Sequence, residues 1–146
     1  MTKKQLFIFA ILSFVFQLNS QNSREKYNFN PDWKFIKANP NDAQVFNYDD
    51  ATWTTISTPH TFNDTDTFDD LSIGKHIGEK NQFRGTVWYR KHFKLPKSDS
   101  GKKVYIEFES VRQVADVYIN GKHLGTNKTG FIPFGYNLTP YLNFGD

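Results

Sequence analysis

A hairpin signature in the second half of the chain constrains the fold most strongly. From Val114 to Ile119 apolar and polar residues alternate, and this period of two is typical of a half-buried strand. Asn120-Gly121 follows at once, and this pair favours a type I′ turn because both residues accept a positive φ. Lys122–Leu124 is therefore predicted to return as a short antiparallel strand.

Other segments of the chain carry the same strand pattern. Val87–Leu95 alternates with Lys91 as the exception on the apolar face, and Pro96 ends it because proline has no N–H for a ladder. Lys103–Ser110 alternates too. Weaker candidates are Trp33–Phe35, Trp53–Ile56, Phe131–Phe134 and Tyr136–Leu138. No helical periodicity is sustained, so the predicted fold class is an all-β antiparallel sandwich of the jelly-roll kind.

Composition supports a β-domain and excludes several function classes. Aromatic residues make up 17% of the chain, and they suit a pleated, half-buried surface. There is no cysteine, which excludes disulfides and thiolate chemistry. Lysine and arginine form no run of five or more, so nucleic acid is not a predicted partner.

The first twenty residues have the three parts of a secretory signal peptide. Lys3 and Lys4 precede an apolar run, Leu6–Phe16, and Ser20 is a small residue suited to cleavage. The run of about eleven residues is too short to span a bilayer, although an uncleaved anchor stays an alternative. We therefore expect a signal peptide at 1–20, a flexible lead-in at 21–28 and a domain at 29–146, in a secreted or periplasmic protein with no membrane span after cleavage.

A long polar stretch, Thr61–Gly85, does not fit the strand pattern. Loops of this length in compact domains are usually functional or disordered. Its acidic residues are oxygen ligands of the kind Ca²⁺ takes, but the glycine and final glutamate of an EF-hand loop are lacking. A solvated loop is the favoured interpretation, and no metal is predicted. The acidic residues are Asp64, Asp66, Asp69 and Asp70.

Four stretches, in this order, resemble the N-terminal sugar-binding domain of family 2 glycoside hydrolases, the β-galactosidase, β-glucuronidase and β-mannosidase group. They are FNPDWKF at 29–35, DATW at 50–53 with PHTFN at 59–63, RGTVWYRK at 84–91, and VYINGKHLG at 117–125 with GFIPF at 130–134. The resemblance covers about residues 29 to 146. Phe62 stands where the family usually has tryptophan.

The resemblance implies a galactose-binding-domain-like jelly roll in a secreted, retaining, β-galactosidase-like hydrolase of O-glycosidic bonds. It implies that the domain continues past Asp146 into its last strands, then into an immunoglobulin-like domain and a (β/α)8 barrel. Retaining enzymes use two carboxyl groups about 5–5.5 Å apart, and in this family both lie on the barrel. The chain alone is thus expected to hold no catalytic residue and no cofactor, and to be inactive. The expected partners are an oligosaccharide or polysaccharide and the other domains.

Three residues are predicted to bind substrate. In the family a loop of this domain reaches the barrel mouth. Asn63 and Asp66 match an N-x-x-D element of that loop, and Arg84 matches the arginine that precedes G-x-x-W-Y. Asparagine and aspartate suit sugar hydroxyls, and arginine suits a hydroxyl or a carboxylate. The alternative is that Asp66 and Arg84 pin the loop to itself. Of the tryptophans, which could stack on sugars, at least two are predicted to be core residues; they are Trp33, Trp53 and Trp88.

Two other function classes stay open at this point. The chain could be a free-standing carbohydrate-binding module without an enzyme, or a structural or adhesion domain. Within the enzyme hypothesis the sequence does not choose between a galactoside, a glucuronide and a mannoside, because that choice lies mostly in the barrel.

Overall fold

The computed structural model of the chain describes residues 24–62 and 83–145. The predicted signal peptide lies outside this range, as do the candidate residues Asn63, Asp64, Asp66, Asp69 and Asp70. In the described ranges no helix is long and apolar enough to cross a membrane. Regular structure there consists of strands and two short 3-10 turns. The strands are β1 (Trp33–Ile36), β2 (Thr54–Ile56), β3 (Trp88–Arg90), β4 (Tyr105–Phe108), β5 (Ala115–Ile119), β6 (Lys122–Asn127) and β7 (Phe134–Asn137), and the turns are Lys97–Asp99 and Thr139–Tyr141.

The first sheet has the order β2-β1-β3, and both pairings are antiparallel. Phe35 at its centre lies opposite Thr54 on one side and Tyr89 on the other. The predicted strand at 87–95 is shorter than expected, because ladder pairing with β1 ends at Arg90. Its side-chain alternation nevertheless continues to residue 95, with the odd-numbered residues half-buried and His92 and Lys94 exposed.

Lys91, the exception in the predicted apolar face, is half-buried with its neighbours on that face. Its ammonium group donates a hydrogen bond to the carbonyl oxygen of Pro31. It also lies 5.4 Å from the centre of the Phe29 ring. The long aliphatic stem is therefore packed while the charge is compensated by an oxygen and an aromatic face.

The predicted hairpin is confirmed. β5 and β6 pair antiparallel around Asn120 and Gly121, whose φ values are 47° and 78°. Both values are positive, as a type I′ turn requires. β6 runs further than predicted, to Asn127, and a register shift between Val117 and Tyr118 bends the pair.

The remaining sheet pairs β4 with β7, and side chains join the three sheets. Tyr136 of β7 packs so closely on β6 that a Cβ atom at Gly125 would lie 2.8 Å from its ring. Trp88 of β3 contacts Tyr118 of β5, with 5.8 Å between ring centres. The fold is therefore an all-β antiparallel sandwich, as predicted.

The core of the described part is thin. Its buried apolar residues are Ala43, Trp53, Ile119 and Leu138. Trp53 is 5% exposed, whereas Trp33 and Trp88 are half-buried. The prediction that at least two tryptophans belong to the core is therefore wrong by one, because the small sheets cover the other two indoles only in part. Because few apolar side chains are buried, polar contacts between loops contribute a larger share of the stability of the fold.

Candidate functional site

The described residues that flank segment 63–82 meet each other. Phe62 precedes the segment and Phe83 follows it, and their rings pack edge to face with 6.2 Å between centres. The two ends of the described chain on either side of this segment therefore lie at one point. We call this point, formed by Phe62, Phe83 and Arg84, the loop base.

Arg84 is the predicted substrate-binding residue that the structure describes. It is exposed, directly after the Phe62–Phe83 contact, and it forms no ion pair with another described residue. Asn63 and Asp66 lie outside the described range. The structure therefore does not test the grouping of Arg84 with Asn63, nor the alternative that Arg84 pins the loop through Asp66. In sequence, Asn63 directly follows Phe62, so the chain enters the segment at the same base from which Arg84 projects.

A hydrogen-bonded aromatic cluster supports the loop base. The Nδ1 atom of His60 lies 2.9 Å from the hydroxyl oxygen of Tyr89, and the His60 ring packs against Phe35 at 4.8 Å. Burial raises the pKa of the Tyr89 hydroxyl, so this group stays neutral. His60 therefore has a structural contact, and it fixes the chain two residues before Phe62.

A buried ionic cluster, which the sequence analysis did not identify, holds the neighbouring loop. Asp50 is 8% exposed, and its Oδ2 atom accepts hydrogen bonds from Arg90 Nε at 2.8 Å and His92 Nε2 at 2.7 Å. The Arg90 guanidinium also donates to the carbonyl oxygens of Ala43, Val45 and Phe46. Arg90 thereby binds the whole turn of the β1–β2 connection to β3.

Electrostatics keep Asp50 ionised. Burial alone would raise the pKa of its carboxyl group, but the hydrogen bonds from His92 and Arg90 outweigh burial and lower it. Asp50 and Arg90 both lie in stretches that resemble the family, so the sequence marks each residue. It does not show that they form a pair, because they are 40 positions apart.

A second cluster ties the lead-in to the turn before β4. Lys102 donates to Asp99 at 2.7 Å, and Tyr27 donates to the same carboxyl group at 3.1 Å. The hydrogen bond from Lys102 is the main reason why the pKa of Asp99 is lowered. Desolvation and the bond to Asp99 raise the pKa of Tyr27. Tyr27, in the predicted lead-in, thus contacts the turn at Lys97–Asp99.

The two buried carboxyl groups of the described residues, Asp50 and Asp99, do not have the character of a general acid. A catalytic acid at neutral pH needs a raised pKa. The hydrogen bonds of Asp50 and Asp99 lower the pKa of both carboxyl groups. Glu107 and Glu109 are exposed, and Glu107 forms an ion pair with Arg24. Among residues 24–62 and 83–145, no three His, Cys, Asp or Glu residues are grouped to hold a metal ion.

The described structure is an all-β sandwich with an exposed loop base, and comparison with known proteins specifies the family. The family described as "Glycosyl hydrolases family 2, sugar binding domain" matches residues 28–146. The chain belongs to this family.

Several relatives are β-glucuronidases or β-galactosidases. A β-glucuronidase of Formosa agariphila is 74% identical over 127 residues, which cover 87% of this chain and 13% of that protein. A β-galactosidase of Thermoanaerobacter pseudethanolicus is 40% identical over 123 residues, which cover 84% of this chain and 16% of the relative. This chain thus spans less than a fifth of the length of these relatives.

Solved structures give the same result for the fold. A family 2 β-glucuronidase superposes with a TM-score of 0.76 at 78% identity, over 82% of this chain and 13% of that one. The β-glucuronidase of Bacteroides uniformis superposes with a TM-score of 0.74 at 33% identity, over 85% and 14%. The predicted family and fold class are both confirmed.

Proposed function

We propose that this chain is the non-catalytic, amino-terminal sugar-binding domain of a secreted retaining glycoside hydrolase that acts on β-glucuronides. The observation that carries the proposal is the 74% identity to a β-glucuronidase over 87% of the chain. A β-galactosidase reaches 40% over a similar length, so the β-galactosidase-like expectation becomes the second candidate. The signal-like pattern at 1–20 supports export.

The electrostatics of the described residues support a non-catalytic role. Hydrolysis with retention needs one carboxyl group that donates a proton and a second one close by that attacks the sugar. Asp50 and Asp99 are stabilised as carboxylates by their cationic neighbours, which opposes proton donation. Neither residue therefore suits the acid of this reaction, and the proposal assigns the reacting carboxyl groups to another part of the complete protein.

Arg84 gives this domain a role in substrate recognition. A guanidinium group binds a carboxylate through charge-assisted hydrogen bonds, and such bonds are about twice as strong as neutral ones. A β-D-glucuronide carries a carboxylate at C6, where a β-D-galactoside has a hydroxymethyl group, and the two sugars also differ in configuration at C4. An exposed Arg84 at the loop base, together with Asn63 and Asp66 in the segment that starts there, would contact the sugar at the mouth of the barrel.

The experiment uses the complete protein that contains this chain, with p-nitrophenyl β-D-glucuronide and p-nitrophenyl β-D-galactoside as substrates. For Arg84→Ala we expect kcat/KM for the glucuronide to fall roughly tenfold to a hundredfold, the effect of losing one charge-assisted contact of about 1.5–3 kcal/mol. The smaller residual activity on the galactoside should change less than threefold.

Lys94→Ala is the matched control, because Lys94 is an exposed cation on the same segment of chain. It should leave kcat/KM for both substrates unchanged. Equal losses on both substrates in Arg84→Ala would contradict carboxylate recognition and would favour a role of Arg84 in pinning the loop. A complete protein that prefers the galactoside would replace the first candidate function by the second.

The third candidate, a free-standing carbohydrate-binding module, requires no further catalytic domain. It is distinguished by reading the coding sequence beyond Asp146. An open frame that encodes a barrel with two glutamates supports the enzyme, and a stop codon at this position supports the module.

A further inference from the structure

The exposed face of the β5–β6 hairpin carries a group of side chains that the proposed function does not use. Two directly opposed cross-strand pairs lie on this face, Asp116 with Thr126 and Tyr118 with His123. All four residues are exposed, whereas the residues that alternate with them in β5 are half-buried or buried. Trp88 adds a fifth side chain from β3. We call these five residues the hairpin platform.

Three rings of the hairpin platform form a continuous aromatic surface. The Tyr118 ring lies 5.8 Å from the Trp88 ring and 4.9 Å from the His123 ring, at interplanar angles of 35° and 45°. Asn39 accepts a hydrogen bond from the Trp88 indole at 2.8 Å, which fixes that ring. Tyr118 is 36% exposed although it touches both neighbours, so part of its ring is open to a ligand.

Polar groups at the edge of these rings are already oriented. The Oδ1 atom of Asp116 accepts a hydrogen bond from the Thr126 hydroxyl and lies 3.3 Å from His123 Nε2. Its second carboxylate oxygen has no hydrogen-bond partner among the residues that the structure describes. The side chains of Asp116 and His123 are 51% and 46% exposed. An oriented acceptor beside an aromatic surface is therefore accessible from solvent.

This combination fits one class of ligand. A pyranose ring has an apolar face of C–H groups that packs on an aromatic ring, and hydroxyl groups at its rim that donate to carboxylates. Binding sites for small molecules share this pattern of aromatic walls with a few placed polar groups. We propose that the hairpin platform is a second carbohydrate site, separate from the loop base, that binds the uncharged pyranose units of a glycan.

The charge of Asp116 determines which sugars this site takes. An ionised carboxylate accepts hydroxyl hydrogen bonds but repels a ligand carboxylate at the same place. The hairpin platform therefore prefers a neutral galactoside to a glucuronide, which is the opposite of the preference proposed for Arg84.

The test measures binding directly and involves no hydrolysis, so its outcome is independent of the proposed function. The chain, labelled with ¹⁵N, is titrated at pH 7.5 with methyl β-D-galactopyranoside and followed by NMR. We expect shift changes centred on the Trp88 indole and on the amides of Tyr118 and His123, with a Kd in the millimolar range. Binding that does not saturate by about 50 mM, or shifts centred elsewhere, would overturn the proposal.

Variants separate stacking from charge. Tyr118→Ala should raise Kd at least fivefold, and Tyr118→Phe, which keeps the ring and its packing on Trp88, should keep Kd within twofold. Tyr105→Ala is the control, since Tyr105 is a 56% exposed tyrosine on β4, away from the hairpin platform. Asp116→Asn should narrow the preference for the galactoside over methyl β-D-glucuronide. An unchanged Kd in Tyr118→Ala, or an unchanged preference in Asp116→Asn, would contradict the assignment.

Discussion

Replacing Asp50 by asparagine tests how far the buried ionic cluster holds the sandwich together. The carboxylate is 8% exposed and accepts two charge-assisted hydrogen bonds on one oxygen, from Arg90 and His92. Asparagine keeps the shape of the side chain and an acceptor oxygen, but it removes the charge. Arg90 then has only neutral acceptors, the asparagine amide oxygen and the backbone carbonyl oxygens, in a site where its own side chain is 13% exposed.

The expected loss of stability follows from these contacts. A hydrogen bond to a charged group contributes about 1.5–3 kcal/mol, roughly twice a neutral one. Losing the charge removes about half of that for Arg90. It removes less for His92, because the His92 side chain is 61% exposed and its ion pair is screened. Together these losses lower the free energy of unfolding by about 2 kcal/mol, which corresponds to a Tm lower by roughly 6 °C.

Urea unfolding followed by tryptophan fluorescence is a suitable assay, because the backbone N–H of Trp53 bonds to the carbonyl oxygen of Asp50 and its indole is buried. Asp42→Asn is the matched control. It makes the same chemical change at an exposed position of the same connection, where asparagine tolerates the φ of 60°. If Asp50→Asn lies within about 0.5 kcal/mol of Asp42→Asn, the cluster does not stabilise the fold and the reasoning is refuted.

Three further outcomes follow from the structure. His92 and Arg90 lower the folded-state pKa of Asp50 below 3.8. The difference in unfolding free energy between the wild type and Asp50→Asn should therefore have its full size above about pH 5 and shrink as the pH falls through 3.8. A constant difference in urea unfolding from about pH 7 to 3 would contradict this. Gly135→Ala should cost about 1–3 kcal/mol in the same urea assay, because its Cβ atom would lie 2.5 Å from the carbonyl oxygen of Ile106; a neutral result would mean that β4 and β7 separate easily. Gly121→Ala should cost about 1 kcal/mol because of its φ of 78°, and a stabilised variant would exclude the type I′ turn.

Local features of the fold could be predicted from the sequence because their causes are local. The Asn120-Gly121 turn needs only two residues that accept a positive φ, and the alternation in β4 and β5 follows from having one face covered. The end of β3 could not be predicted in this way. Pairing stops at Arg90, opposite Lys34 near the start of β1, and the alternation of 87–95 carries no information about a partner strand more than fifty residues earlier.

The sites were predicted unevenly for a similar reason. Arg84 was identified through a stretch that resembles the family, and its exposed position at the loop base is compatible with the role predicted for it. The hairpin platform could not be predicted from the apolar alternation of β5, because this pattern marks the covered face, whereas Asp116 and Tyr118 lie on the opposite face. Only the pairing register between β5 and β6 shows that His123 lies opposite Tyr118.

The most direct test of the account is the substrate preference of the complete protein that contains this chain. It should release p-nitrophenol from the β-D-glucuronide at a kcat/KM at least tenfold above that for the β-D-galactoside, and the sugar should first appear as the β-anomer by NMR. A purified, folded protein that hydrolyses neither substrate, or that favours the galactoside, would contradict the glucuronidase assignment.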